Sequence, residues 1–189
     1  MIGIDFTPEM INLARKNAAV NGFNNVEFRQ GDIENMPVTE GTVDVVVSNC
    51  VLNLLPTKDK IFHEIHRVLK PGGRFSISDI VLEGDLPTEL TQAAEMYAGC
   101  VSGAIQKSDY LSEIAEAGFD GVTVQKEKAI IIPDDILQDY MNQEEIDSFK
   151  NGTTGIFSIT VFGKKAGVKS NVIPIIEGGA VCTPGGGCC

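Results

Sequence analysis

Strand-length apolar segments alternate with helical patterns through the first half of this 189-residue chain, and that alternation restricts the fold more than any other feature. Ile2–Ile4 is a short apolar strand ending in Asp5. Thr7-Pro8-Glu9 reads as a helix start, with Thr7 as N-cap, Pro8 at the first helical position and an acid in the first turn. Met10, Ile11, Ala14 and Ala18 continue as a helical apolar stripe that Asn21-Gly22 stops. Val26–Arg29 alternates as a second strand, and Val43–Val47 is a nearly continuous apolar run, the pattern of a parallel strand covered on both faces. Lys58–Leu69 is helical, with Ile61, Phe62, Ile65, Val68 and Leu69 inward; Lys70-Pro71-Gly72-Gly73 is expected to stop it before a strand over Arg74–Leu82. The alternation predicts an α/β fold, a mostly parallel sheet with helices on both faces.

The second half is expected to hold a helix over Pro87–Ala104 and another that Ser108-Asp109 caps and Ala117-Gly118 ends. A long strand over Val122–Ile132, two short helices around Asp134–Met141 and Gln143–Lys150, and a last strand over Gly155–Phe162 follow, and the close spacing of the last strands suggests an antiparallel edge. From Lys164 the pattern dissolves, and Gly167–Cys189 reads as a flexible tail. The expected division is 1–82 and 83–163 as two parts of one fold, with 164–189 as a Gly/Cys tail.

Composition narrows the function classes. Lys and Arg number 15 against 26 Asp and Glu, a net charge of −11, and no basic stripe of a nucleic-acid binder is visible. No apolar run reaches the roughly 18 residues of a membrane span, and no signal-peptide pattern opens the sequence. Cys50, Cys100, Cys182, Cys188 and Cys189 are odd in number, which argues for free thiols in a reducing cytoplasm, with metal or metalloid binding open, over a secreted disulfide framework. His63 and His66, at i and i+3, could be imagined as a metal pair, but a solvated helix surface is the simpler reading. The charges of Lys126–Lys128 read as a solvated strand edge.

Ligands of open α/β sheets bind outside the carboxyl ends of the strands. That rule selects Asp5-Phe6, Asp32-Ile33 and Ser48-Asn49-Cys50. Asp5 is placed to accept hydrogen bonds from a ribose diol; the plainer reading is a turn residue before a helix. Asp32 can accept from an adenine amino group while Ile33 packs on the ring, or it is a turn aspartate. Asn49 can meet the amino-acid end of a ligand, or simply cap the strand. Phe6, Phe28 and Tyr97 are pocket candidates that equally suit a core.

Taken together, Ile4-Asp5, Gly31-Asp32, Val43-Asp44-Val45-Val46-Val47-Ser48-Asn49 and Leu69-Lys70-Pro71-Gly72-Gly73 stand in the motif order of the class I S-adenosylmethionine-dependent methyltransferases, which residues 1–163 resemble. A narrower resemblance lies around Ser48-Asn49-Cys50-Val51-Leu52-Asn53-Leu54 and Met96-Tyr97-Ala98-Gly99-Cys100-Val101-Ser102-Gly103-Ala104, whose cysteines are 50 residues apart. Val124-Gln125-Lys126-Glu127-Lys128, Ile131-Ile132-Pro133-Asp134-Asp135 and the terminal Cys188-Cys189 add to it. These segments are similar to arsenite methyltransferases. The resemblance implies a Rossmann-like fold and S-adenosylmethionine as cofactor, with Asp5, Phe6, Asp32, Ile33 and Asn49 in its pocket. It also implies Cys50 and Cys100 as ligands of trivalent arsenic, the substrate, whose thiophilicity suits soft thiolates. By spacing alone each of these cysteines reads first as a small buried filler, and it is the resemblance that turns the reading toward a ligand. The implied partners are arsenite, methylated arsenicals and a small thiol or thioredoxin-type reductant, for a cytoplasmic monomer engaged in arsenic detoxification. Cys188-Cys189 could capture arsenite, or belong to an inert tail, and Cys182 says nothing.

The family's first, central strand, its Gly-rich loop and a further upstream cysteine have no counterpart before Asp5, so the chain reads as N-terminally truncated. Either unpaired backbone groups or two halves forced together are then expected between Ile2–Asp5 and Val43–Val47. The corresponding expectation is weak cofactor binding, and reduced activity, for this chain alone. Two other functions fit the residues: methylation of a small organic substrate with the cysteines as packing, and a non-catalytic thiol protein that binds arsenite.

Overall fold

The computed structural model describes residues 1–86, 101–152 and 154–167. Strand β1 (Ile2–Asp5) leads through helix α1 (Pro8–Val20) to β2 (Glu27–Gln30), and the two strands pair in parallel. Strand β3 (Val43–Asn49) follows, then a single helical turn (Leu52–Leu54), helix α2 (Lys58–Val68) and the long β4 (Leu69–Glu83). Helix α3 (Lys107–Glu116), β5 (Phe119–Ala129), the short helices α4 (Asp134–Gln138) and α5 (Gln143–Asn151), and β6 (Gly155–Lys165) complete the described elements. The expected helix over Pro87–Ala104 and the tail lie largely outside the described residues, and so do Tyr97, Cys100, Cys182, Cys188 and Cys189.

The strands form two sheets. One is the pair β1–β2; the other has the order β3–β4–β6–β5, with β3 and β4 parallel and the remaining pairs antiparallel, the expected mixed edge. Among the described residues no strand joins β1 to β3. The gap between them is an open cleft of about 760 Å³, so the two halves are not forced together.

Alternation along β4 and β6 sorts the core onto two faces. Phe75, Ile77, Val81, Ile159 and Val161 point to the side of α2 and α3, where they pack with Phe62, Ile65, Tyr110 and Ile114. Ile80 and Ile156 point the other way, against Leu137, Met141 and Ile146 of the α4–α5 region. Phe75 anchors the first face, its ring 4.7 Å from Phe119 in edge contact and 6.3 Å from Phe62.

Four local readings need correction. Val43–Val47 is not covered on both faces: Val45 is 40% and Val47 72% exposed, because the α4–α5 cluster takes in β4 and β6 but no residue of β3. Lys70-Pro71-Gly72-Gly73 does not end α2. The helix gives way to extended backbone at Leu69, which already pairs with Val43, and the four residues bulge out before Arg74 pairs with Val45; Gly72, at φ +80°, makes the turn. The Thr7 side chain makes no capping bond; the Asp5 carboxylate accepts from the Thr7 N–H at 2.8 Å instead. Strand β5 begins at Phe119 rather than Val122, since Phe119 and Asp120 pair with Lys165 and Lys164 of a β6 that runs beyond Phe162.

Candidate functional site

Of the strand ends that the sequence singles out, Ile33, Ser48 and Asn49 line the cleft, whereas Asp5, Phe6, Asp32 and Cys50 lie outside its lining. Ile2 and Ile4 of β1 form one wall, Val43 to Asn49 of β3 the other, and Ile33, Met36, Leu52 and Ile65 close the bottom. Ile33 and Asn49 therefore share one cavity, and Asp5 stands at its rim, half-buried, directly after Ile4. Asp32 is exposed at the end of β2, where its carboxylate accepts from the Glu34 N–H at 2.9 Å, an Asx turn that fixes the loop. Phe6 is 74% exposed and is not among the cleft residues. Phe28 packs under Gly3.

Cys50 follows Asn49 at the carboxyl end of β3 and is the one cysteine among the described residues. It adopts φ +55°, the left-handed region, which no other described non-glycine residue does. That conformation costs about 1–2 kcal/mol. The Cys50 N–H donates to the Ser78 carbonyl at 2.8 Å, so the backbone stays tied to β4 while the chain turns out of the sheet. Half-buried Cys50 thus sits on a strained corner beside Asn49, a common location for reactive groups. Its separation from Cys100 lies outside the described residues.

Below this corner is a polar cluster that sequence reasoning missed. Asp79 of β4 is 1% exposed, on the same face as Phe75, Ile77 and Val81. The Tyr110 hydroxyl donates to its Oδ2 at 3.0 Å. Burial pushes the Asp79 carboxyl up to about 6, although the Tyr110 bond, the Lys58 charge and the Asn53 backbone all favour the ionised form. The Tyr110 hydroxyl is pushed upward too, first by burial and then by the Asp79 charge. Lys58, 4% exposed, donates to the Gly103 carbonyl at 2.6 Å and to Leu55 at 3.4 Å; burial lowers its pKa and Asp79 partly restores it. The Asn53 amide donates to the Ile80 carbonyl at 2.7 Å. A signal existed: Asp79 is a charged residue in step with inward-facing Phe75 and Ile77 on the alternating part of β4.

The two histidines have different surroundings: His63 is exposed, with its Nδ1 2.8 Å from the Asp59 carbonyl, and His66 is half-buried. His66 meets Phe119 edge-on at 5.1 Å, and burial, with Lys165 and His63 nearby, lowers its pKa. Among the described residues no group of three or more potential metal ligands is present. Lys126–Lys128 lie on the exposed edge strand β5, as expected. No described helix is long and apolar enough to cross a membrane.

Comparison with known proteins adds an independent line. The family described as "Methyltransferase domain" matches residues 1–118. An arsenite methyltransferase of Halobacterium salinarum is 46% identical over 124 residues, 66% of this chain and 32% of that protein. One from Aquipseudomonas alcaligenes is 32% identical over 166 residues, 84% of this chain and 47% of that protein. The chain therefore spans between about a third and a half of these curated relatives. An arsenic(III) S-adenosylmethionine methyltransferase from Chlamydomonas reinhardtii superposes with a TM-score of 0.69 at 27% identity, over 87% of this chain and 55% of that one.

Proposed function

The chain belongs to the class I S-adenosylmethionine-dependent methyltransferases, and from that premise we propose that it takes part in methyl transfer to trivalent arsenic held by the thiolates of Cys50 and Cys100. The observation that carries the reading is Cys50 itself, a thiol on a strained corner at the carboxyl end of β3, next to the cleft. A packing cysteine has no use for a left-handed backbone or for that address.

The donor set fits the cofactor. Carboxylates at the ends of β1 and β2, Asp5 and Asp32, can accept from hydroxyl and amino hydrogens; half-buried Ile33 offers an apolar surface, and Asn49 an amide at the same rim. Phe6, exposed and outside the cleft lining, would serve as an outer cover. When bound, S-adenosylmethionine supplies an electrophilic methyl on a sulfonium sulfur. Cys50 and Cys100, with one outside thiol or water as third ligand, would hold arsenic as a pyramidal centre; its lone pair would form the new carbon bond as the sulfonium carbon–sulfur bond breaks, and S-adenosylhomocysteine would leave. The protein's contribution is then position and orientation, with no strong general base required. Arsenic leaves such a step oxidised, so a small thiol or thioredoxin-type reductant is the matching partner, in a cytoplasmic detoxification role.

Titration with phenylarsine oxide tests the thiol pair. With Cys182, Cys188 and Cys189 replaced by serine, one equivalent should bind tightly, and a further Cys50→Ser or Cys100→Ser should weaken binding at least about tenfold, or about 1.4 kcal/mol. Unchanged binding in both variants would refute the thiol assignment. A second reading, a thiol protein that holds arsenite without transferring methyl, draws on the open cleft that separates Asp5 and Asp32 from Cys50. Incubation with arsenite, S-adenosylmethionine and glutathione separates the two: methylated arsenic that disappears with Cys50→Ser favours transfer, and arsenical binding without methylated product favours holding.

A further inference from the structure

We propose that Lys58 is a positioning residue for the arsenic-binding thiols, acting by locking the turn that follows Cys50 onto the segment that follows Cys100, with buried Asp79 as its neighbouring counter-charge. The proposal rests on the assignment of those two cysteines as the metalloid ligands. Its own basis is a set of contacts that core packing does not require.

Two stretches of chain meet here. The helical turn Leu52–Leu54 begins two residues after Cys50, and residues 101–106 begin directly after Cys100. Lys58, at the start of α2, reaches across to the Gly103 carbonyl at 2.6 Å while also donating to Leu55 at 3.4 Å. Gly103 lies so close to the turn that a Cβ there would be 1.7 Å from the Asn53 carbonyl oxygen. The approach is possible only for glycine. Farther along, the Leu82 N–H donates to the Ile105 carbonyl at 2.9 Å, which fixes the same segment to β4. Asn53 donates to Ile80, and so the Cys50 turn is fixed to β4 as well.

An ammonium group at 4% exposure needs compensation, because a buried charge without partners is costly. The Gly103 and Leu55 carbonyls meet the ammonium directly, and the nearby Asp79 carboxylate, which accepts from the Tyr110 hydroxyl, raises the Lys58 pKa against the lowering by burial. Asp79 Oδ1 and Asn53 Oδ1 are both buried without a hydrogen-bond partner, an arrangement that stability alone would not favour. An apolar side chain at the Asp79 position would remove the orphaned Oδ1 but would leave the buried Tyr110 hydroxyl without its acceptor. The contact that joins the turn after Cys50 to residues 101–106 is made by Lys58, and the geometry therefore assigns that lysine a task in the site.

The test uses the full chain with Cys182, Cys188 and Cys189 replaced by serine, so that only Cys50 and Cys100 react. Dibromobimane becomes fluorescent when it bridges two nearby thiols and so reports their juxtaposition without arsenic. Each bridging rate is divided by the monobromobimane labelling rate to remove differences in thiol reactivity. Lys58→Met should lower the normalised rate and the phenylarsine oxide affinity at least about tenfold. Lys58→Arg, which keeps the charge and the donors, should restore both; a merely structural lysine would show no such selective rescue at equal melting temperature. Gly103→Ala carries the test if Lys58→Met does not fold, and should separate the thiols by the clash with Asn53. Bridging and binding unchanged from wild type in the folded variant would overturn the proposal. Loss of bridging in Lys58→Met, with no arsenical bound even by wild type, would leave the lock standing and remove the arsenic assignment. Equal arsenical affinity in Lys58→Met and wild type, with binding still dependent on Cys50, would do the reverse.

Discussion

The β1–α1–β2 unit and the four-stranded sheet carry different halves of the proposed chemistry and are built to different standards. The unit offers Asp5, Asp32 and Ile33, yet Ile11 is its one fully buried large side chain among the described residues, while Met10, Leu13, Val20 and Phe23 are 48–77% exposed. The sheet offers Cys50 and the Lys58 lock with its counter-charge Asp79, and it is backed on one face by Phe62, Phe75, Tyr110, Ile114 and Phe119 and on the other by Leu137, Met141 and Ile146. Ligand-binding elements are drawn from the least protected parts of a fold. The difference teaches that the four-stranded sheet rests on a core packed on both faces, whereas the β1–α1–β2 unit leans on that core through half-buried Ile2, Ile4 and Ile33 beside an open cleft.

The largest expected effect lies in the core. Phe75 is completely buried between Phe62 and Phe119, so Phe75→Ala should cost about 3–5 kcal/mol and unfold much of the chain in a urea titration. Ile11→Ala should cost about 2 kcal/mol or somewhat more and act locally. Hydrogen exchange should then show β1, α1 and β2 losing protection while β4 and β6 keep theirs. Equal loss everywhere after Ile11→Ala would break the contrast and make the two regions one cooperative unit.

A smaller effect separates the lock's counter-charge from the surrounding apolar core. The Asp79 carboxyl titrates at about 6 in the folded chain, against 3.8 for an ordinary one. The folded state holds that proton more tightly than the unfolded state, so this group's stability contribution is complete below about pH 4. It is lost as pH rises to about 6, by about 3 kcal/mol, and changes little above. Asp79→Asn should remove that slope. A stability–pH difference between wild type and Asp79→Asn that stays flat from pH 4 to 7 would contradict it.

How much of this was legible depends on the range of the interactions. The strand and helix order could be read because each segment declares its own period, and the strand ends Asp5, Asn49 and Cys50 follow from that order alone. Cover for Val45 and Val47 depends on which helices reach β3, which no local pattern states; a continuous apolar run looks the same beside a packed helix and beside an open cleft. The Leu69 ending of α2 was hidden because Pro71 and the glycines are strong stop signals that the chain uses one step later, in a bulge. Lys58 stayed unseen for a different reason. Its partner Gly103 is 45 residues away, and only the folded chain brings the two together. Asp79 alone betrayed itself, by parity.

The smallest effect concerns the seam at which β1 hands the chain to α1. Thr7-Pro8-Glu9 has the appearance of a self-capped helix, but the Thr7 hydroxyl makes no capping bond and the Thr7 N–H is taken by Asp5. Thr7→Ala should therefore shift stability by less than about 0.5 kcal/mol, the ordinary range for a surface change. Asp5→Ala should cost about 1 kcal/mol, as loss of a capping carboxylate does, and should also free the start of α1 in hydrogen exchange. The order matters more than either size. If Thr7→Ala were the costlier change, α1 would be held by its own cap, independent of β1, and the carboxylate of Asp5 would be free to serve a ligand with both oxygens. If Asp5→Ala is the costlier, one oxygen of that carboxylate holds the helix entry, and a ribose hydroxyl at this rim has to be met by the other.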